Sequence, residues 1–293
     1  MTAAQPLDAR GAPVARLGRR FSWSWLGVLP IILFVLLFLV TPTLYLLVGS
    51  FQDKAGGLTL QNYGHLSEPN LADSYFASIE ISLVTAIAGG IFGFLVAYAV
   101  ILGGLPSFLR SAIMTFSGVA SNFAGVPLAF AFTFTLGASG ILTPLIEALG
   151  VHFNIYSKTA LELAYFYFQF PLMILIIAPA IDGLRKDWRE AAENMGASSF
   201  QYWRHVALPI LTPSLLGTVI LLFGNAFGAQ ATAFALSGGS INIVTIAITR
   251  QIRGDVANDP GVGYALAMGM VVIMAISIGI YSLLQRRSER WLR

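Results

Sequence analysis

The chain contains no cysteine. That excludes disulfides, thiolate metal sites and thiol nucleophiles. Charge is scarce as well: Asp, Glu, Lys and Arg make up 11% of the 293 residues, whereas a soluble domain carries about 25%. The three histidines, His65, His152 and His205, fall in three separate segments, which argues against a histidine metal cluster. No G-x4-G-K-[ST] phosphate loop occurs, so the chain is not expected to hydrolyse nucleotide itself, and no cofactor is expected. No long apolar stretch has a central acidic or basic residue. Ion-coupled carriers need such a group at membrane depth, because a titrating or ion-binding site must be polar.

What is present is apolar. Hydrophobic residues reach 56% and mean hydropathy is +0.75, values of a polytopic membrane protein rather than a soluble one. Six charge-poor stretches, 25–48, 79–102, 111–136, 159–181, 213–236 and 263–284, can each hold a span. About 20 residues cross ~30 Å of hydrocarbon at about 1.5 Å per residue. The expected fold is all-α, with six transmembrane helices and no water-soluble domain. Pro30, Pro42, Pro127, Pro171 and Pro179 inside these stretches do not count against helix, since neighbouring helices can re-satisfy freed backbone groups. The first stretch has the basic preface of a signal peptide, but its apolar run is too long and no cleavage site stands out, so it reads as a retained span.

Lysine and arginine set the orientation. With both termini inside, the inner segments hold Arg10, Arg16, Arg19, Arg20, Arg110, Arg185, Lys186, Arg189, Arg204, Arg286, Arg287, Arg290 and Arg293. The outer segments hold Lys54, Lys158, Arg250 and Arg253. This bias predicts cytoplasmic N- and C-termini in a cell membrane. Tails then occupy 1–24 and 286–293. The net charge of +3 sits where anionic lipid heads attract it and implies no nucleic-acid partner.

One polar island, 187–213, lies between the fourth and fifth stretches, on the cytoplasmic side. Trp188, Ala191, Ala192 and Met195 recur at three- and four-residue spacing, which predicts a short helix with one apolar stripe. Gly196 is placed to close it with positive φ, and Ser198 or Ser199 to cap a second helix running through Phe200, Trp203 and Val206 to a break at Pro209. From periodicity alone, an amphipathic loop resting on the membrane surface and a stiff element that passes a push both fit.

Glu190-Ala191-Ala192, Gly196, Val206, Leu208-Pro209 and Pro213 resemble, in type and spacing, the cytoplasmic EAA loop of permease subunits of binding-protein-dependent ABC importers. The resemblance extends over the permease core, 79–285, with the first helix as an addition. It implies that the loop forms a coupling helix docking in a cleft of an ATPase subunit, with Glu190, Ala191, Ala192, Gly196, Leu208 and Pro209 at or beside the contact. Met195 departs from the Asp that the family often has before the glycine. It further implies two ATPase subunits, a second permease, homologous but different, and an extracytoplasmic solute-binding protein. Residues 223–252 and 259–273 look like the polyamine-type branch, whose relatives also carry other small charged solutes.

Asn122, Gln169, Asn225 and Gln230 are expected to be amides within the spans, where each must find a partner. Bonding between helices and lining of the solute path are the two readings. Glu80 and Glu162, at the outer ends of their spans, read as interfacial residues or as contacts for a cationic solute. The aromatic run 165–168 reads as packing. Three function classes follow: the importer permease, which leads; an ion-coupled secondary carrier; and a channel or anchor. No nucleophile and base pair in the spans suggests an enzyme.

Overall fold

A computed structural model describes residues 27–253 and 259–289, with side chains as far as Arg286. The tail 1–24 with its four arginines, Trp25, the C-terminal Arg290 and Arg293, and part of the outer segment 237–262 lie outside the described residues. Among those described, pairing of β type is confined to one isolated bridge, Gln52 with Leu58. Five helices are long and apolar enough to cross a membrane: Leu29–Ser50, Pro69–Leu102, Lys158–Asp182, Ser199–Gly228 and Pro260–Arg286. A further pair, Ser107–Asn122 and Val126–Leu136, is apolar enough to cross when taken together and is bent by 101°.

The chain divides into two compact units, Met1–Leu46 and Leu47–Arg293. In the first, a π turn, Leu36–Val40, precedes Pro42. The hydroxyls of Thr41 and Thr43 donate to the carbonyls of Leu36 and Leu39.

The second unit is built around the fourth span. Ser157 caps its start by accepting from the N–H of Ala160 at 3.2 Å. Leu161, Ala164, Met173, Ile177 and Ile181 are fully buried. Gly89 and Gly93 of the second span face Gln169 and Met173, and Gly90 faces Val219 of the fifth. Three small residues therefore seat the second span against two neighbours. This matters in lipid, where helices associate by close packing.

Several expectations are corrected. The helix that holds the second span, expected at 79–102, begins at Pro69. Its 34 residues, about 51 Å at 1.5 Å per residue, carry a polar first turn beyond the apolar zone. The third stretch is two helices, because Gly125 takes φ 73° and Pro127 starts a new helix. The fifth helix stops at Gly228, with Ala229 extended, and Ala231–Ser237 is a separate element. No break occurs at Pro209. The π turn Trp203–Ala207 comes just before it, so Leu208 bonds back to the Trp203 carbonyl. The widened turn removes the clash between a proline ring and the carbonyl one turn back.

Candidate coupling site and solute path

The segment between the fourth and fifth spans begins with Gly183, Leu184 and Arg185 and enters the helix Lys186–Asn194. Its charges are paired locally. Arg185 bonds Asp187 at 2.7 Å and lies 5.9 Å from the Trp188 ring centroid, while Arg189 bonds Glu193 at 2.9 Å. The Glu193 carboxylate raises the Arg189 pKa further above its ordinary value, so the guanidinium stays charged. Glu190 is exposed and pairs with no described residue. Gly196 has φ 79° and ends the helix, as the sequence predicts. Ser198 and Gln201 then form a reciprocal capping box, at 3.3 and 2.7 Å, for the helix that follows.

The predicted apolar stripe is split. Ala192 is buried and Trp188 half-buried, but Ala191 is exposed and Met195 is 82% exposed. The helix rests on the bundle through Ala192 and the half-buried Trp188, while Ala191 and Met195 face outward. Leu208 is exposed and Pro209 half-buried, both on the continuous helix into the fifth span.

At the centre of the bundle two interruptions of the backbone meet. The Gly125 N–H donates to Thr232 Oγ1 at 2.7 Å, joining the bend of the third crossing to the element after the fifth helix. The Tyr165 hydroxyl donates to the carbonyl of Ala229, at the second interruption. The amides expected there divide. Gln169 is wholly buried, donating from Nε2 to the Leu222 carbonyl at 2.9 Å, and its Oε1 has no partner. Gln230 is half-buried and donates to Thr249 Oγ1. Asn122 is exposed and bonds its own helix at Gly118. Asn225 is exposed on this chain, on the opposite side of its helix from the buried Phe223 and Phe227. The aromatic run 165–168 packs as expected, with Tyr165 and Phe168 buried and Phe166 edge-on to Phe92.

Thr232 is the structural contributor that sequence reasoning did not name; in the sequence, Tyr165 and Trp203 stand out only as part of an aromatic run and of a short helix. Gly125 followed by Pro127 was the available signal for the bend; nothing local marks the partners.

Backbone leaves the helical ladder at membrane depth only where protein or a water-filled cavity covers it. Here the two adjacent interruptions cover one another inside the helical bundle. Residues 89–290 match the family described as the binding-protein-dependent transport system inner membrane component, and the chain belongs to that family. It is a permease subunit of an ABC importer for small solutes. It is 24% identical over 269 residues to the spermidine/putrescine transport system permease protein PotB of Haemophilus influenzae, covering 87% of this chain and 93% of that one. To the sulfate transport system permease protein CysW of Escherichia coli K12 it is 25% identical over 252 residues, covering 86% and 84%. In fold it is similar to a chain of a bacterial ABC transporter involved in alginate import, with a TM-score of 0.71 at 15% identity over 90% of this chain and 95% of that one.

Proposed function

We propose that this permease forms half of a solute path and that the helix Lys186–Asn194 with the Gly196 turn is where an ATPase subunit grips it. One observation carries the reading. Met195 and Phe200, 82% and 71% exposed, stand uncovered on either side of Gly196, beside the unpaired Glu190. A methionine and an aromatic ring next to charged side chains are residue types that interfaces favour. Glu190, Ala191, Ala192 and Gly196 form the contact, and Leu208 and Pro209 carry the push into the fifth span. Two ATPase subunits, a second, homologous permease and an extracytoplasmic binding protein complete the complex, with both termini of this chain in the cytoplasm.

ATP binding closes the ATPase pair, the coupling helix follows, and the bundle opens toward the loaded binding protein; hydrolysis resets it. To move a population from 1:99 to 99:1 the closed ATPase pair must favour one state by about 5.5 kcal/mol, so the grip has to be firm.

The solute is small and charged. The relatives named for spermidine/putrescine and for sulfate take opposite charges, and the acidic side chains of this chain favour the cation. Glu80 pairs with Lys158, and Glu162, one turn farther along the fourth span, lies within reach of both charges and adds a second carboxylate to that cluster. Asn122, Asn225 and Gln230 supply neutral polar contacts along the path. The test is Gly196→Asp in the assembled complex: the variant inserts in the membrane, and stimulation of ATP hydrolysis by loaded binding protein is abolished. Normal stimulation would count against the grip.

A further inference from the structure

Trp203 lies near the start of the helix Ser199–Gly228 that follows the coupling segment, and three rings meet its indole edge to face. Tyr98 lies at 4.9 Å and 87°, Tyr202 at 6.3 Å and 82°, and Phe94 at 6.5 Å and 76°. These are the favoured geometries for aromatic pairs. Phe94 and Tyr98 are one turn apart on the second span, so the indole is keyed into that span at two successive positions. Trp203 also opens the π turn: its carbonyl accepts from the N–H of Leu208. Turns of this kind interrupt the register of an α-helix.

The same residue forms a wall of a cleft of about 370 Å³ between the coupling helix and the second span. Arg189, Glu190 and Glu193 lie on one side, Tyr98 and Leu102 on the other. Arg189 faces the hydroxyl ends of Tyr98 and Tyr202 across it. A push on the coupling helix reaches the fifth span through continuous backbone, Ser199–Gly228. No such backbone leads to the second span, which has to be moved by side chains.

We propose that Trp203 is the positioning residue that hands movement of the coupling segment to the second span, through its keyed contact with Tyr98 and Phe94. The proposal rests on the ATPase grip described above, and the experiment separates the two. Because the chain has no cysteine, cysteines introduced at the exposed Leu95 of the second span and Ile276 of the sixth accept spin labels at those sites alone. Their separation is measured with and without ATP in the transporter assembled with cysteine-free partner subunits. A separate label at Met195 reports shielding from a water-soluble reductant.

In the parent, ATP shifts the separation between the second and sixth spans and Met195 is shielded. In Trp203→Ala the shielding and ATP hydrolysis persist, while the shifted population falls at least tenfold. Trp203→Phe restores it, because a ring remains in the key. Tyr98→Leu, which removes the ring from the other side, behaves as Trp203→Ala and serves if that variant does not assemble. A shielded Met195 with an undiminished shift in Trp203→Ala or Tyr98→Leu overturns the role of Trp203 and leaves the grip standing. So does a parent that shows no shift at all. An unshielded Met195 in the parent overturns the grip itself, and the proposal with it.

Discussion

A Cβ built on Gly93 falls 2.5 Å from the Cβ of Met173 and 2.7 Å from the carbonyl oxygen of Phe170. The second and fourth spans touch there with no room for a methyl group. Gly93→Val forces them apart, and overpacking of this kind costs about 1–3 kcal/mol. The expected result is a lower unfolding temperature in detergent. Gly118→Ala, whose added Cβ meets nothing within 4 Å, melts with the parent. Equal melting of both variants would show that the spans do not touch at Gly93.

Tyr165→Phe removes the donor to the Ala229 carbonyl at the interruption of the fifth helix. Leaving a buried acceptor without its partner costs about 1–3 kcal/mol. Hydrogen exchange at 229–232 should speed up while the fourth span stays protected. Unchanged exchange there would mean that other contacts hold the interruption.

Arg110 and Asp182 pair at 3.1 Å, but their side chains are 41% and 58% exposed. Exposed pairs of this kind are worth roughly 0–1 kcal/mol. Asp182→Asn is therefore expected to leave the unfolding temperature nearly unchanged and to respond little to salt. A large loss would identify this link between the third and fourth crossings as structural.

Gly196 has open space around it but a left-handed backbone. A substitution there acts through conformation: a left-handed residue with a side chain costs roughly 1–2 kcal/mol, less for Asn, which tolerates that region. Stimulated ATP hydrolysis should fall in the order Gly, Asn, Ala. Equal rates would show that the turn is not required in the gripped state.

Gln169→Leu deletes a bond to the Leu222 carbonyl together with a buried Oε1 that has no partner. Losing both leaves stability within about 1.5 kcal/mol of the parent, since one change offsets the other. If uptake falls while melting stays the same, Gln169 serves the solute path; if both fall together, it serves packing.

The fourth span was legible almost to the residue, 159–181 expected against Lys158–Asp182 found. Its start signal, Ser157, is a neighbour in sequence. The coupling turn was legible for the same reason, since positive φ at Gly196 and the box between Ser198 and Gln201 are contained within a few residues. The exposed Met195 was not, because a stripe of apolar residues says which positions share a helix face and not whether anything covers it. The continuous helix through Pro209 was missed as well: the proline was visible, and the π turn that accommodates it was not.

Apolar length and local caps pointed, from the sequence alone, to a helical membrane protein with up to six spans and a capped polar segment between the fourth and the fifth. Only the tertiary structure decided where the third and fifth crossings break. In a bundle at membrane depth, a carbonyl or N–H can leave its helix only if another group meets it. Here those groups come from Tyr165, 64 residues from Ala229, and from Thr232, 107 residues from Gly125. No reading of neighbouring residues could have paired them.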